Sequence, residues 1–166
     1  MPSELVIRDA VPDDAVVILR FIRELAAYER EPQAVETSVE RLREQMLAPR
    51  PPFECLIAEE AGEAVGFALF FQSYSTWRGR PGLYLEDLYV TPARRRFGIG
   101  RAILSQIAAL ATVRGYGRVE WAVLDWNQPA IDFYLGLGAQ PMTEWTVFRL
   151  HDAVFATLSG TDRGPM

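Results

Sequence analysis

The chain holds one cysteine and one histidine in 166 residues. A single copy therefore cannot build a disulfide or a Cys/His zinc site, and no metal is expected. Positive charge is also in deficit: the formal net charge is −5 at pH 7. That balance argues against a general nucleic-acid binder and leaves cationic ligands open. No apolar run approaches the roughly 20 residues that a membrane span needs. The opening Met-Pro-Ser-Glu lacks the basic-then-apolar order of a signal peptide. These absences together lead to the expectation of a cytoplasmic protein with no membrane or nucleic-acid partner. Internal repeats, low-complexity tracts and linkers are missing as well. Residues 1–166 are therefore expected to form one domain, with 159–166 a loose tail. Hydrophobic residues make up 49% and charged residues 23%, enough for a core, since a domain of this size buries roughly two-thirds of its unfolded surface.

Periodicity predicts the order of elements. Leu5 to Arg8 alternates as a strand, and Pro12-Asp13-Asp14 starts a helix that runs to Glu29. Thr37 or Ser38 caps a second helix through Leu47, closed by Pro49-Arg50-Pro51-Pro52. Two strands, about Glu54 to Glu59 and Ala64 to Tyr74, meet at a tight Ala61-Gly62 turn. Leu83 to Val90 reads as a strand, Gly100 to Arg114 as a helix, and Val119 to Leu124 as a strand. Pro129 to Leu137 reads as a short helix and Trp145 to Leu150 as a final strand. The fold class is mixed α/β, with helices on both faces of a central sheet.

Within this acidic chain, "TPARRRFGIGRAIL", Thr91 to Leu104, concentrates arginines and glycines where a helix begins. A helix N-terminus carries unpaired N–H groups and a partial positive charge, and glycines let a ligand approach the backbone. Nearby arginines would complete a phosphate or pyrophosphate site; a solvated loop is the plainer alternative. A Walker loop is excluded because Gly100 is followed by Arg101-Ala102. A dinucleotide fingerprint is excluded because Ile103 stands where a small residue is needed, and because the glycines do not follow the strand directly.

What remains is Arg-x-x-Gly-x-Gly, from Arg95 to Gly100. Here the sequence resembles the GNAT superfamily of acyl-CoA-dependent N-acetyltransferases. Four segments, "ELAAYE" (24–29), "YLEDLYV" (84–90), "RFGIG" (96–100) and "WNQPAIDFY" (126–134), are similar in order to the diamine or spermidine/spermine N-acetyltransferase branch. The resemblance covers roughly residues 4–150 and implies a mostly antiparallel sheet and acetyl-CoA as co-substrate. It implies that the strand at Leu88, Tyr89 and Val90 pairs with pantetheine. It also assigns the pyrophosphate to the loop of Arg95, Arg96, Phe97, Gly98, Ile99, Gly100 and Arg101, with backbone N–H groups from Arg96 to Arg101 as donors. Asn127 is implied to bind the pantetheine arm. Arg96 and Arg101 depart from the pattern, since related enzymes often carry small residues there; both could meet CoA phosphates or point into solvent. The short insert between the second and third strands is a further departure.

Acetyl transfer to an amine poses two problems. An amine with a lysine-like pKa of ~10.4 is mostly protonated at neutral pH, and freeing its lone pair costs about 4–5 kcal/mol. The leaving thiolate must also be stabilised or protonated. A covalent route has little support, because His151 stands near the C-terminus and Cys55 lies in an apolar strand. Glu86 and Asp87 are adjacent in an apolar strand, where carboxylates are costly unless paired, solvated or functional. Absent a bulge, they face opposite sides of the sheet. The resemblance implies Glu86 as a base acting through water and Asp87 as its companion near the amine, with Tyr28 and Glu29 lining the acceptor site. It implies Tyr134 as general acid, although its pattern alone favours packing with Ile131 and Phe133; Trp126 is a weak further candidate. A small cationic acceptor (a diamine, polyamine or lysine-like amine) and a homodimer are expected on the same basis. A protein amine as acceptor, or a non-catalytic acyl-CoA sensor, are the alternatives.

Overall fold

A computed structural model describes residues 3–161. Ten elements follow one another: β1 (Leu5–Asp9), α1 (Ala15–Tyr28), α2 (Val39–Leu47), β2 (Glu54–Glu60), β3 (Glu63–Ser75), β4 (Arg80–Val90), α3 (Ile99–Val113), β5 (Val119–Glu120), α4 (Gln128–Gly136) and α5 (Asp152–Ser159). They divide into two compact units, one ending at Leu124 and one beginning at Asp125.

In the first unit the strands lie in the order β1-β2-β3-β4-β5, antiparallel except for the parallel β4–β5 pair. The β2–β3 turn needs left-handed backbone, which Ala61 (φ 51°) and Gly62 (φ 78°) supply. One face of the sheet packs Cys55, Ile57, Phe67, Leu69 and Tyr89 against Ala15, Ile18, Leu19 and Phe21 of α1 and Leu42 of α2. Burial among these side chains pushes the Cys55 thiol well above its ordinary pKa, so it is an inert packing group. The opposite face takes α3, which buries Ile99, Ile103 and Ile107 and reaches all four long strands. Gly66 sits on that side with no room for a side chain, since a Cβ there would lie 2.8 Å from the Tyr89 carbonyl oxygen.

An ion cluster ties β1, β2 and the start of α1 together. The Arg8 guanidinium donates to Asp14 at 2.8 and 2.9 Å and to Glu59 at 2.7 and 3.0 Å. Asp14 also accepts the Val11 N–H at 2.7 Å. Hydrogen bonding from Arg8 holds the Asp14 carboxyl below its ordinary pKa. The α2 start is capped by Ser38, which accepts the Arg41 N–H at 3.1 Å.

Two irregularities in β4 shape this edge of the sheet. Pairing with β5 covers Leu83 and Tyr84; beyond Tyr84, no strand among the described residues continues that edge. The Thr91 N–H donates to Val65 at 2.8 Å, so by alternation the polar backbone groups of Leu88 and Val90 point away from β3, toward the open edge. The second irregularity is a bulge: Leu69 pairs with Asp87 and Phe70 with Leu85, leaving Glu86 as the extra residue.

In the second unit, Asn127 caps α4, its Oδ1 accepting the Ala130 N–H at 3.4 Å. The expected final strand at Trp145 to Leu150 is absent, and that stretch is irregular. Its composition suits a strand, but a strand needs a neighbour's donors and acceptors, and none pairs with it here. Val147 and Phe148 are 85% and 91% exposed. A helix not expected from sequence, α5, runs to Ser159 and closes on Gly160 (φ 71°), where the expected 159–166 tail begins, with the Thr161 N–H bonded to Ala156 at 3.1 Å. The remainder of that tail, 162–166, lies outside the described residues. The strand expected over Val119 to Leu124 is reduced to Val119–Glu120.

Candidate active site

The expectation that Glu86 and Asp87 face opposite sides holds for a strand without a bulge, and β4 has one at Glu86. Phe67, Leu69 and Phe71 alternate onto one face of β3, and their partners on β4 are Tyr89, Asp87 and Tyr84. Two residues therefore separate Tyr84 from Asp87 where regular pleating would allow one. The extra residue puts Tyr84 on the same face as Asp87 and leaves Glu86, exposed, outside the alternation. These groups also act on one another electrostatically. Burial, then Glu86, then Glu29 raise the Asp87 carboxyl to about 7. Burial and Glu86 raise Glu29. Burial, Glu86 and Glu120 raise the Tyr84 hydroxyl.

Glu29 reaches this group because α1 ends beside it: Glu29 is the helix C-cap, its N–H bonded to the Leu25 carbonyl at 2.9 Å. Three carboxylates separated by up to 58 positions, Glu29, Glu86 and Asp87, thus form one acidic cluster. Like charges this close oppose one another's ionisation, and a cation would relieve them. Tyr28, also predicted for the acceptor side, is 37% exposed next to Glu29. Tyr84 belongs to the same wall and was not anticipated. Its position two residues before Glu86 was the available signal.

Immediately beyond the cluster, the open β4 edge at Leu88 and Val90 leads into the glycine-arginine loop. Gly98 is the N-cap of α3 in the left-handed region (φ 80°), with no side-chain cap. The helix starts at Ile99, one residue earlier than expected, and the Ala102 N–H bonds to Gly98 at 2.9 Å. The N–H groups of Ile99, Gly100 and Arg101 are those an α-helix leaves without an internal acceptor. Arg96 adopts φ 67°, a conformation that suits the small residue expected there better than an arginine. Arg96, Phe97 and Arg101 are exposed. Arg94, not singled out from sequence, anchors the loop through a two-pronged pair with Glu60 at 2.5 and 2.7 Å and lies 4.5 Å over the Phe97 ring. Arg95 turns the other way, its Nε donating to the Val90 carbonyl at 2.9 Å. An open strand edge that runs into unpaired helix N–H groups at a glycine cap fits a slender ligand with an anionic middle, as acyl-CoA has.

A model of the acetyltransferase (GNAT) family matches residues 19–139. The chain belongs to the GNAT family. It is 42% identical over 167 residues to a bovine (Bos taurus) protein named thialysine N-epsilon-acetyltransferase, covering 94% of this chain and 98% of that protein. It is 36% identical over 155 residues to the human (Homo sapiens) spermidine/spermine N(1)-acetyltransferase-like protein 1, covering 87% of this chain and 22% of the longer protein. Among solved structures, an integron cassette protein from the mobile metagenome of V. cholerae superposes with a TM-score of 0.78 at 21% identity, covering 93% of this chain and 97% of the other. That likeness carries the fold. The chain is thus an acetyltransferase of the GNAT type, a class that uses acetyl-CoA as co-substrate.

The remaining predicted residues of this GNAT protein lie in the second unit. Tyr134 is half-buried on α4, its ring 5.5 Å from that of Phe133 and tilted 50° to it. Asn127 is 9% exposed. Among the described residues no helix is long and apolar enough to cross a membrane.

Proposed function

We propose that this protein transfers an acetyl group from acetyl-CoA directly to a primary amine of a small, flexible cation, such as a diamine, polyamine or lysine-like amine. The observation that carries this reading is the convergence of Glu29, Glu86 and Asp87 beside the open edge of β4. Three mutually repelling carboxylates suit an acceptor with a second ammonium, and the names of the bovine and human relatives belong to multiply aminated compounds. Acetyl-CoA supplies the acetyl group as a reactive thioester. Leu88 and Val90 offer backbone partners to its arm, and the N–H groups from Arg96 to Arg101 offer a cradle for its pyrophosphate, with Asn127 as a further contact to the arm. Glu86, exposed at the bulge, takes the ammonium proton through water. Asp87 and Glu29 hold the cation, with Tyr28 as a wall. Tyr134 donates the proton that the departing thiolate needs. No step in this scheme calls for a metal. We also read the exposed Trp145, Val147, Phe148 and Leu150 as a surface for a second copy, giving a homodimer, and take the enzyme to act in the cytoplasm.

The test is kcat/KM for matched mono- and diamines of similar length. Exposed charge pairs contribute only roughly 0–1 kcal/mol each, so discrimination of tenfold or more requires the carboxylates to act together in a partly closed site. The diamine is expected to be preferred, the gap to shrink with salt, and Glu29→Gln to narrow it while sparing CoA affinity. Equal kcat/KM at low salt would refute the small-cation reading and point to a peptide amine. CoA binding without turnover on any amine would point to a sensor.

A further inference from the structure

We propose that Arg95 is a positioning residue for the acceptor wall rather than a ligand of the cofactor. The proposal rests on the reading of Tyr28 and Glu29 as acceptor residues, and it concerns how they are held. Although Arg95 opens the Arg-x-x-Gly-x-Gly segment, its side chain folds back across the end of β4 onto the α1 face. Its Nε donates to the Val90 carbonyl at 2.9 Å. Its guanidinium carbon lies 4.9 Å from the centre of the Tyr28 ring and 5.3 Å from that of Tyr89. Tyr89 is 6% exposed, and both Glu24 of α1 and Arg95 bear on its hydroxyl. The planar cation thus joins two elements, touching the Val90 carbonyl and the buried Tyr89 ring of β4 on one side and the last turn of α1 on the other.

This contact adds to the partial packing of Ile22 and Leu25 against the core in the second half of α1. The side chains that α1 buries fully, Ala15, Ile18 and Phe21, all lie in its first half. Tyr28 is 37% exposed, and Arg30, just past Glu29, sits in left-handed backbone at φ 65°. A guanidinium over tyrosine rings is held more firmly as water is excluded, and its fork fixes direction as lysine would not. The Val90 carbonyl belongs to the open edge, so Arg95 also occupies an acceptor at the end of the cofactor slot. Cofactor loop and acceptor wall are thereby joined through one side chain, and the placement of Glu29 against Glu86 and Asp87 depends on it.

The experiment uses the full chain and Arg95→Gln, which removes the cation and the fork but retains polarity. Measured are the CoA dissociation constant by calorimetry, separate KM values for acetyl-CoA and a diamine, and amide hydrogen exchange. The expected result is a diamine KM raised tenfold or more with CoA affinity within about twofold. Exchange should quicken at residues 25–31 and stay unchanged over 99–104. A tenfold loss of CoA affinity with the diamine KM intact would overturn the proposal and make Arg95 a cofactor ligand. So would unchanged exchange at 25–31. Should the wild-type protein turn over no diamine, the small-cation reading fails, but the exchange pattern and CoA affinity still decide the role of Arg95.

Discussion

Replacing Asp87 by asparagine removes a charge that the folded protein holds at a disadvantage. Burial and two neighbouring carboxylates raise the Asp87 carboxyl from an ordinary 3.8 to about 7. Below pH 3.8 the group is protonated whether folded or unfolded, and the neighbours cost nothing through it. Between that value and 7 the unfolded chain has released the proton while the folded chain retains it, so stability falls as pH rises. Above 7 both are ionised and the penalty is constant. At ~1.36 kcal/mol per pH unit of displaced titration the full penalty is about 4 kcal/mol, of which about 1–2 kcal/mol is present at pH 5. Asp87→Asn keeps the shape and sheds the charge. The variant should therefore gain about 2–3 kcal/mol relative to wild type between pH 5 and pH 8. Urea titrations at the two pH values measure this, provided the dependence on denaturant is unchanged by the substitution. The same variant should lose discrimination between diamine and monoamine. A stability difference that does not vary between pH 5 and pH 8 would refute the reasoning, because it would mean that Asp87 titrates in its ordinary range and the cluster is not coupled.

Other consequences are as direct. Tyr134→Phe keeps the ring and removes the donor, so turnover should fall with acetyl-CoA affinity little changed; unchanged turnover with chemistry rate-limiting would return Tyr134 to a packing role. Gly66→Ala drives a methyl to within 2.8 Å of the Tyr89 carbonyl, and should cost about 1–3 kcal/mol and weaken CoA binding by displacing the neighbouring edge, both readable by calorimetry. Arg8→Ala leaves Asp14 and Glu59 without their shared cation, at about 2–3 kcal/mol after allowance for partial exposure. Because Asp14 titrates below its ordinary value, that contribution is present above pH 3.8 and lost as pH falls through the lowered pKa. The variant and wild type should therefore converge in acid when thermal melts are compared.

Local rules determined much of this protein from sequence. The Ala61-Gly62 turn, the Ser38 cap, the apolar stripe of α1 and the glycine entrance to α3 each follow from a few neighbouring residues. The family was legible in four short segments for the same reason. Where local pattern misled, partners decided. Trp145 to Leu150 has strand composition but pairs with no strand among the described residues, and pairing is a property of two segments. Asp152–Ser159 forms a helix that no reading of the sequence anticipated. Alternation put Glu86 and Asp87 on opposite faces only if the strand held no bulge, and the register between β3 and β4 inserted one at Glu86. The arginine motif gave Arg95 a place in a loop, but the direction of its side chain was set by a carbonyl five residues back and a tyrosine 67 residues away in the chain. Hydrogen-bond register and side-chain direction depend on atoms that are distant in sequence and adjacent in space, which is why local pattern could not gather the acidic cluster: the sequence implied it only through resemblance, and the tertiary structure supplied its geometry.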